Sequence, residues 1–196
     1  MKITPRILLL LVFWMINIQN ISAQFQPDSI QVFQQKYIHE ISEKFPGSHP
    51  VFFEADPKFS IVADFRLVKK SKIVEFPTSS NKLKTYTVYA ILTFMMDHKL
   101  KKLKVYQMYP VNQSYQYHVF VPFIDETSGH ETYGGGRYLD LDIRDFRADN
   151  KIVLDFNKAY NPYCAFSDGY NCPIPPDDNH LGVAVLAGEK YDSIKN

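Results

Sequence analysis

Between residues 29 and 45 the apolar positions Ile30, Phe33, Tyr37, Ile41 and Phe45 recur at steps of three and four, which sets them along one face of a helix. Pro27-Asp28-Ser29 offers a start for that helix and Pro46-Gly47 a stop. After Pro57 the period falls to two. Phe59, Ile61, Ala63, Phe65 and Leu67 share one side and Ser60, Asp64 and Arg66 the other, as in a half-buried strand. Alternation returns over residues 85–96. Asp97-His98-Lys99 then reads as a tight turn into a partner strand at 100–108, so the two form a hairpin. Tyr115, Tyr117, Val119, Val121 and Phe123 alternate again, and shorter strand candidates lie at 72–76, 137–142, 151–155 and 182–187. Strands joined by short polar links, with no helical pattern between them, predict a mainly β fold: an antiparallel β-sandwich or partly closed barrel with one N-terminal amphipathic helix.

The N-terminus has a different pattern. Lys2 and Arg6 precede an apolar run at 7–16, too short to cross a bilayer core of roughly 30 Å as a helix. Asn17, Gln19 and Asn20 interrupt it, and Ser22-Ala23 supplies a small residue for cleavage before Gln24. Residues 1–23 therefore read as a signal peptide, 24–57 as the helix and its lead-in, and 58–196 as the β domain of a single globular unit. The expected destination is outside the cytoplasm, periplasmic or secreted, with no stable membrane span after cleavage. Losing Lys2 and Arg6 takes the formal charge from +1 to −1, which gives no electrostatic case for nucleic acid. Seven of the eight glycines lie at or after Gly129, but Tyr160, Tyr163, Phe166, Tyr170 and Ile174 are interleaved with the prolines there, so this third of the chain is expected to be ordered loop.

The densest polar stretch is 122–141. Gly134-Gly135-Gly136 lets the backbone approach something closely, yet neither a dinucleotide fingerprint nor a P-loop ending is present. A glycine-rich turn feeding a strand is the plainer reading. In that strand Arg137 shares a face with Leu139 and Leu141, while Tyr138, Asp140 and Asp142 take the other. An inward arginine needs an acceptor, either a carboxylate or a polar ligand in a cavity. Asp125 and Glu131 are the acid–base candidates, and His130 stands beside Glu131. His118, on a strand face with Phe120, reads as structural. Cys164 and Cys172, with seven residues between them, fit a disulfide in an exported chain. The rival is a metal site with His180, but the spacing carries no zinc signature, so neither metal nor cofactor is expected.

Several blocks of the chain resemble the bacterial family known as domain of unknown function 1684: Phe123-Ile-Asp125-Glu-Thr127-Ser-Gly129, Glu131-Thr-Tyr-Gly-Gly-Gly-Arg137-Tyr-Leu-Asp140, Asp155-Phe-Asn157-Lys-Ala-Tyr160-Asn161-Pro162, Cys172-Pro-Ile-Pro-Pro176 and Ala187-Gly-Glu-Lys190. The likeness is close over 123–190 and one of pattern over 52–109. It implies that the signature centres on Arg137, Asp155, Asn157, Asn161, Cys164 and Cys172, and it brings no activity with it. The expected function is binding of a small polar molecule or glycan near Arg137, with Tyr133, Tyr138, Asp155, Asn157 and Asn161 contributing and Tyr160 adding flat surface. The alternatives are a hydrolase using Asp125 or Glu131 and a ligand-free structural envelope protein.

Overall fold

The computed structural model describes residues 26–191, and the signal-peptide reading of residues 1–23 falls outside them. Helix α1 (Pro27–Lys44) starts on Pro27 in its first turn, where the missing N–H costs nothing, and buries Ile30, Tyr37 and Ile41. Seven strands follow: β1 (Ser60–Leu67), β2 (Ile73–Pro77), β3 (Leu83–Met96), β4 (Lys99–Met108), β5 (His118–Phe123), β6 (Arg137–Asp142) and β7 (Lys151–Asp155). They form one antiparallel sheet in the order β6-β5-β4-β3-β1-β7, with β2 pairing on β3. The sheet curls into a half-barrel, so of the two expected architectures the partly closed barrel is the one formed.

Local chemistry fixes the turns. Asp97 and His98 both take positive φ, 49° and 58°, in the two-residue turn that matches the twist of β3 and β4. The expected strand through Tyr115 and Tyr117 begins only at His118, because Asn112 accepts from the Ser114 N–H at 2.9 Å and starts a short helical turn at Gln113–Tyr115.

The two faces of the sheet differ. One carries the main apolar core, with Leu92, Leu103, Val119, Val121 and Leu154 fully buried. The other is aromatic: Phe76, Tyr86, Tyr106, Phe120 and Tyr138 pack edge-on and tilted against one another. Tyr37, Ile41 and Phe45 of the helix region pack beyond this second face, against Tyr160, Tyr163 and Tyr170 of the cysteine loop. Among the described residues no helix is long and apolar enough to cross a membrane.

Residues 182–187 form no strand, although Leu181, Val183, Val185 and Ala187 are buried in alternation and close the main core. The segment lacks a strand ladder. Its bonds go to the β5–β6 connection, with Leu181 N–H to Ile124 O and Glu126 N–H to Val183 O, and to the side chain of Arg137. The glycine-rich turn and the cysteine loop meet, as Gly136 lies against Pro175 and the Tyr138 hydroxyl donates to Pro173 O at 2.6 Å.

The three consecutive glycines are not equivalent. Gly136 has φ +83°, and a Cβ there would sit 2.6 Å from Phe123 O and 2.8 Å from Pro175 Cγ, whereas at Gly134 it would meet nothing closer than 3.5 Å. Gly136→Ala is expected to cost about 2–4 kcal/mol and Gly134→Ala less than about 0.5 kcal/mol. Urea unfolding of the two variants measures this, and equal losses would show that the close approach at Gly136 does not matter.

Candidate functional site

Arg137 opens β6 and points into the main core, where its side chain is wholly buried. Its Nη2 donates to Asp125 Oδ2 at 2.8 Å and to Val185 O at 2.8 Å. Its Nη1 reaches Ala187 O and, at 3.4 Å, Glu189 O. The ring of Phe123 lies 5.3 Å from the guanidinium carbon. Asp125 is saturated from its other oxygen, which accepts the Thr127 N–H and hydroxyl and the Val185 N–H. The inward arginine has thus found a carboxylate and three carbonyls, and its Nε alone is left without a partner. Glu131, the other acid–base candidate, is exposed, and its carbonyl accepts from Tyr191 N–H.

Asp155 caps a short turn by accepting from the backbone and side-chain N–H groups of Asn157. Asn157 in turn pairs both ways with the backbone of Asp56, at 2.9 and 3.0 Å. Asn161 is buried too. Its side chain donates to Lys190 O, its backbone N–H donates to Glu189 Oε2 at 2.7 Å, and its carbonyl accepts the Tyr37 hydroxyl at 2.9 Å. Burial lifts the Glu189 carboxyl from 4.5 to about 7, while hydrogen bonding to Asn161 and Tyr37 and the charge of Arg137 pull the other way. Tyr133 stacks edge-on with Tyr191, away from these groups.

A cleft of about 650 Å³ opens on the other face of β6, one residue along the chain from Arg137. Phe33, Lys36, Tyr37 and Glu40, spaced three and four apart on α1, form one wall. Tyr138 and Asp140 of β6, His118 of β5 and Lys84 of β3 form the floor, and Tyr160, Tyr163 and Tyr170 stand on the side of the cysteine loop. Cys164 and Cys172 are bonded to each other, and Cys172 lines the cleft. Their loop is anchored on the far side by Ser79 N–H to Cys172 O and Ile174 N–H to Pro77 O. Among the described residues no group of three or more His, Cys, Asp or Glu has the arrangement to hold a metal ion.

Asp140 organises the polar end of the cleft. Its Oδ1 accepts from the Tyr160 hydroxyl and meets His118 Nε2, both at 2.9 Å. The hydrogen bond to Asp140 holds the His118 imidazolium and raises its pKa. Burial, reinforced by Asp140, keeps the Tyr160 hydroxyl protonated far above its ordinary range. A second hollow of about 510 Å³ lies between the free edges of β6 and β7. Asp155, Asp145, Arg144 and Arg147 line it, and it offers no aromatic surface.

The structure therefore splits the expected site residues. Tyr138 lines the cleft, as does Tyr160. Asp155 lines the seam between the sheet edges, and Arg137, Asn157 and Asn161 are internal. Sequence reasoning passed over His118 and Asp140 as site residues. The available signal was their placement on the same face of neighbouring strands, with Phe120 opposite Asp140 and His118 opposite Asp142.

The family model for "Protein of unknown function (DUF1684)" matches residues 44–190. The solution NMR structure of an uncharacterized protein from Haloarcula marismortui is similar at 31% identity, over 85% of this chain and 95% of that one, with a TM-score of 0.69. No curated protein matches the sequence.

Two predictions follow from the buried groups and the loop. Glu189 holds its proton to higher pH in the folded state than in the unfolded one, so its contribution is complete below about pH 4.5 and is lost as pH rises through about 7. The full swing is about 3 kcal/mol. Denaturant midpoints measured from about pH 5 to about pH 8 should fall for the wild type and fall less for Glu189→Gln; parallel curves would count against the buried-carboxyl account. Opening the Cys164–Cys172 loop by a double change to serine should cost about 2–3 kcal/mol, and a thiol assay on unreduced, unfolded protein should find no free thiol.

Proposed function

We propose that this chain, which belongs to the DUF1684 family, binds a small polar molecule or glycan in the cleft between α1, the aromatic face of the sheet and the cysteine loop. The supporting observation is the cleft's composition. A volume of about 650 Å³ is that of a small-ligand pocket, and its walls combine tyrosine rings with a few convergent polar groups. Tyr115 is 52% exposed and stands edge-on to His118 at 6.0 Å, so it offers a ring to a ligand without contributing to the core. Flat rings beside hydrogen-bonding groups suit the apolar face and hydroxyl rim of a sugar. The signal-like residues 1–23 support an envelope or secreted setting, where such ligands are met.

A binding role is better supported than hydrolysis. Asp125 has its bonds filled in a dry interior, and Glu131 stands on the surface. At the cleft, the Asp140 oxygen nearest His118 is already shared with Tyr160, and Glu40 accepts the Tyr163 hydroxyl at 2.7 Å. One oxygen of each carboxylate is thus committed to a tyrosine hydroxyl within the protein. The tyrosine and carboxylate oxygens hold one another at fixed positions, as a preorganised recognition surface requires.

Native mass spectrometry of the purified protein, together with a glycan array, tests the reading. A retained small molecule or a glycan hit is expected. Tyr115→Ala should weaken binding about tenfold with the melting temperature unchanged. A protein that purifies empty, binds no arrayed glycan and is indifferent to Tyr115→Ala would leave the structural-protein reading in its place.

A further inference from the structure

We infer that the ligand of this cleft is acidic: a saccharide carrying a carboxylate or phosphate group, which Lys36 and Lys84 receive while the tyrosines take the sugar ring. This inference rests on the cleft being a binding site and adds the charge of what it binds.

Five side chains that can carry charge line the cleft: Lys36, Glu40, Lys84, His118 and Asp140. Both carboxylates are engaged from within the protein. Glu40 accepts from the Tyr163 hydroxyl, and Asp140 is shared by the Tyr160 hydroxyl and the His118 imidazole. The lysines are not engaged. Among the described residues neither ammonium has a hydrogen bond or ion pair, although Glu40 follows Lys36 by one helical turn. Lys84 is half-buried on β3, and that burial works against its charge. An ammonium drawn partly out of water without a counter-charge is destabilising, and an anion arriving in the same cleft offsets that cost. His118 and Asp140 answer each other across 2.9 Å, which leaves the two lysines as the cleft's cations without a partner. The charged groups of the cleft that lack a partner are thus both positive, which suits a negative group on the ligand, and the exposed ring of Tyr115 beside His118 gives that group's carrier a surface to lie on.

The test uses the full chain and matched probes: trigalacturonate against neutral galactotriose, and glucose 6-phosphate against glucose, each titrated calorimetrically at low and high salt. At least one acidic member should bind at least tenfold more tightly than its neutral counterpart and lose affinity with salt. The carboxylate and phosphate pairs separate the two sources of charge. Lys84→Gln should weaken the acidic probe about tenfold and leave the neutral one unchanged. Lys36→Gln, exposed on α1, reads the same effect in a position where folding is not at stake. A neutral probe that binds as well as its acidic partner, or lysine variants that change neither, overturns the acidic preference and leaves the cleft as a neutral-ligand site. Failure of all four probes to bind, with Tyr115→Ala equally silent on the array, overturns both.

Discussion

The buried contact between Arg137 and Asp125 is the constraint on which the rest of the arrangement depends. A guanidinium and a carboxylate, both fully removed from water, are tolerable only when nearly every donor and acceptor is matched. The match is supplied by an extended segment at the end of the fold, whose carbonyls at Val185, Ala187 and Glu189 all turn toward one side chain. Arg137 thereby does what a neighbouring strand would do. It takes up the carbonyls of a segment that belongs to no strand and holds it over the open side of the main core, with Val183, Val185 and Ala187 seated in it. Removing one partner of such a pair leaves the other charged and alone, at a cost of about 3–5 kcal/mol, and would also release the segment that closes the core.

From that segment the constraint reaches the cleft. Glu189, two residues beyond Ala187, accepts the Asn161 N–H, and the Asn161 carbonyl accepts the Tyr37 hydroxyl of α1. The backbone of Glu189 is tied to Ala159, and Tyr160 pairs in both directions with Tyr138 of β6. The helix that walls the cleft is therefore seated through a hydrogen-bonded relay that begins at Arg137. The ring contacts of Tyr37 with Phe52 and Tyr160, at 5.9 and 5.4 Å, fill the space around it. The cleft rests on buried groups that, among the described residues, are hydrogen-bonded at all but two of their polar side-chain atoms, Arg137 Nε and Asn161 Oδ1.

Much of this architecture was legible in the alternation of residues, because period two and period three-to-four are imposed by backbone geometry alone. The helix, the β3–β4 hairpin and the inward turn of Arg137 all follow from it. Residues 182–187 show the limit of that reasoning: the alternation is real and the burial follows it, but the ladder partner is a side chain, which no periodicity encodes. The need of Arg137 for an acceptor was also legible, but its choice between ligand and protein was not, since Asp125 and the three carbonyls lie 12 to 52 positions away. The cleft was the least legible part. Its walls meet across 123 positions, as at Tyr163 and Glu40, and His118 becomes a site residue only when β5 and β6 set it beside Asp140.

The boundary of the family match adds a last step. It begins at residue 44, where α1 ends, so the Arg137 clasp, the Asn157 and Asn161 pairings and the cysteine loop all fall within the matched region, while Phe33, Lys36, Tyr37 and Glu40 fall before it. The matched part supplies the floor of the cleft and the machinery that holds it rigid. The wall facing that floor comes from a helix outside the match, and it brings Lys36, one of the two cleft lysines with no partner among the described residues. In the proposed binding role, a floor of tyrosines with an aspartate–histidine pair would accept many polar rings, and the charge and reach of the facing wall would discriminate among them. The family match thus accounts for the scaffold and most of the rings, and under the proposed reading the choice of ligand would be carried in part by the helix that precedes it.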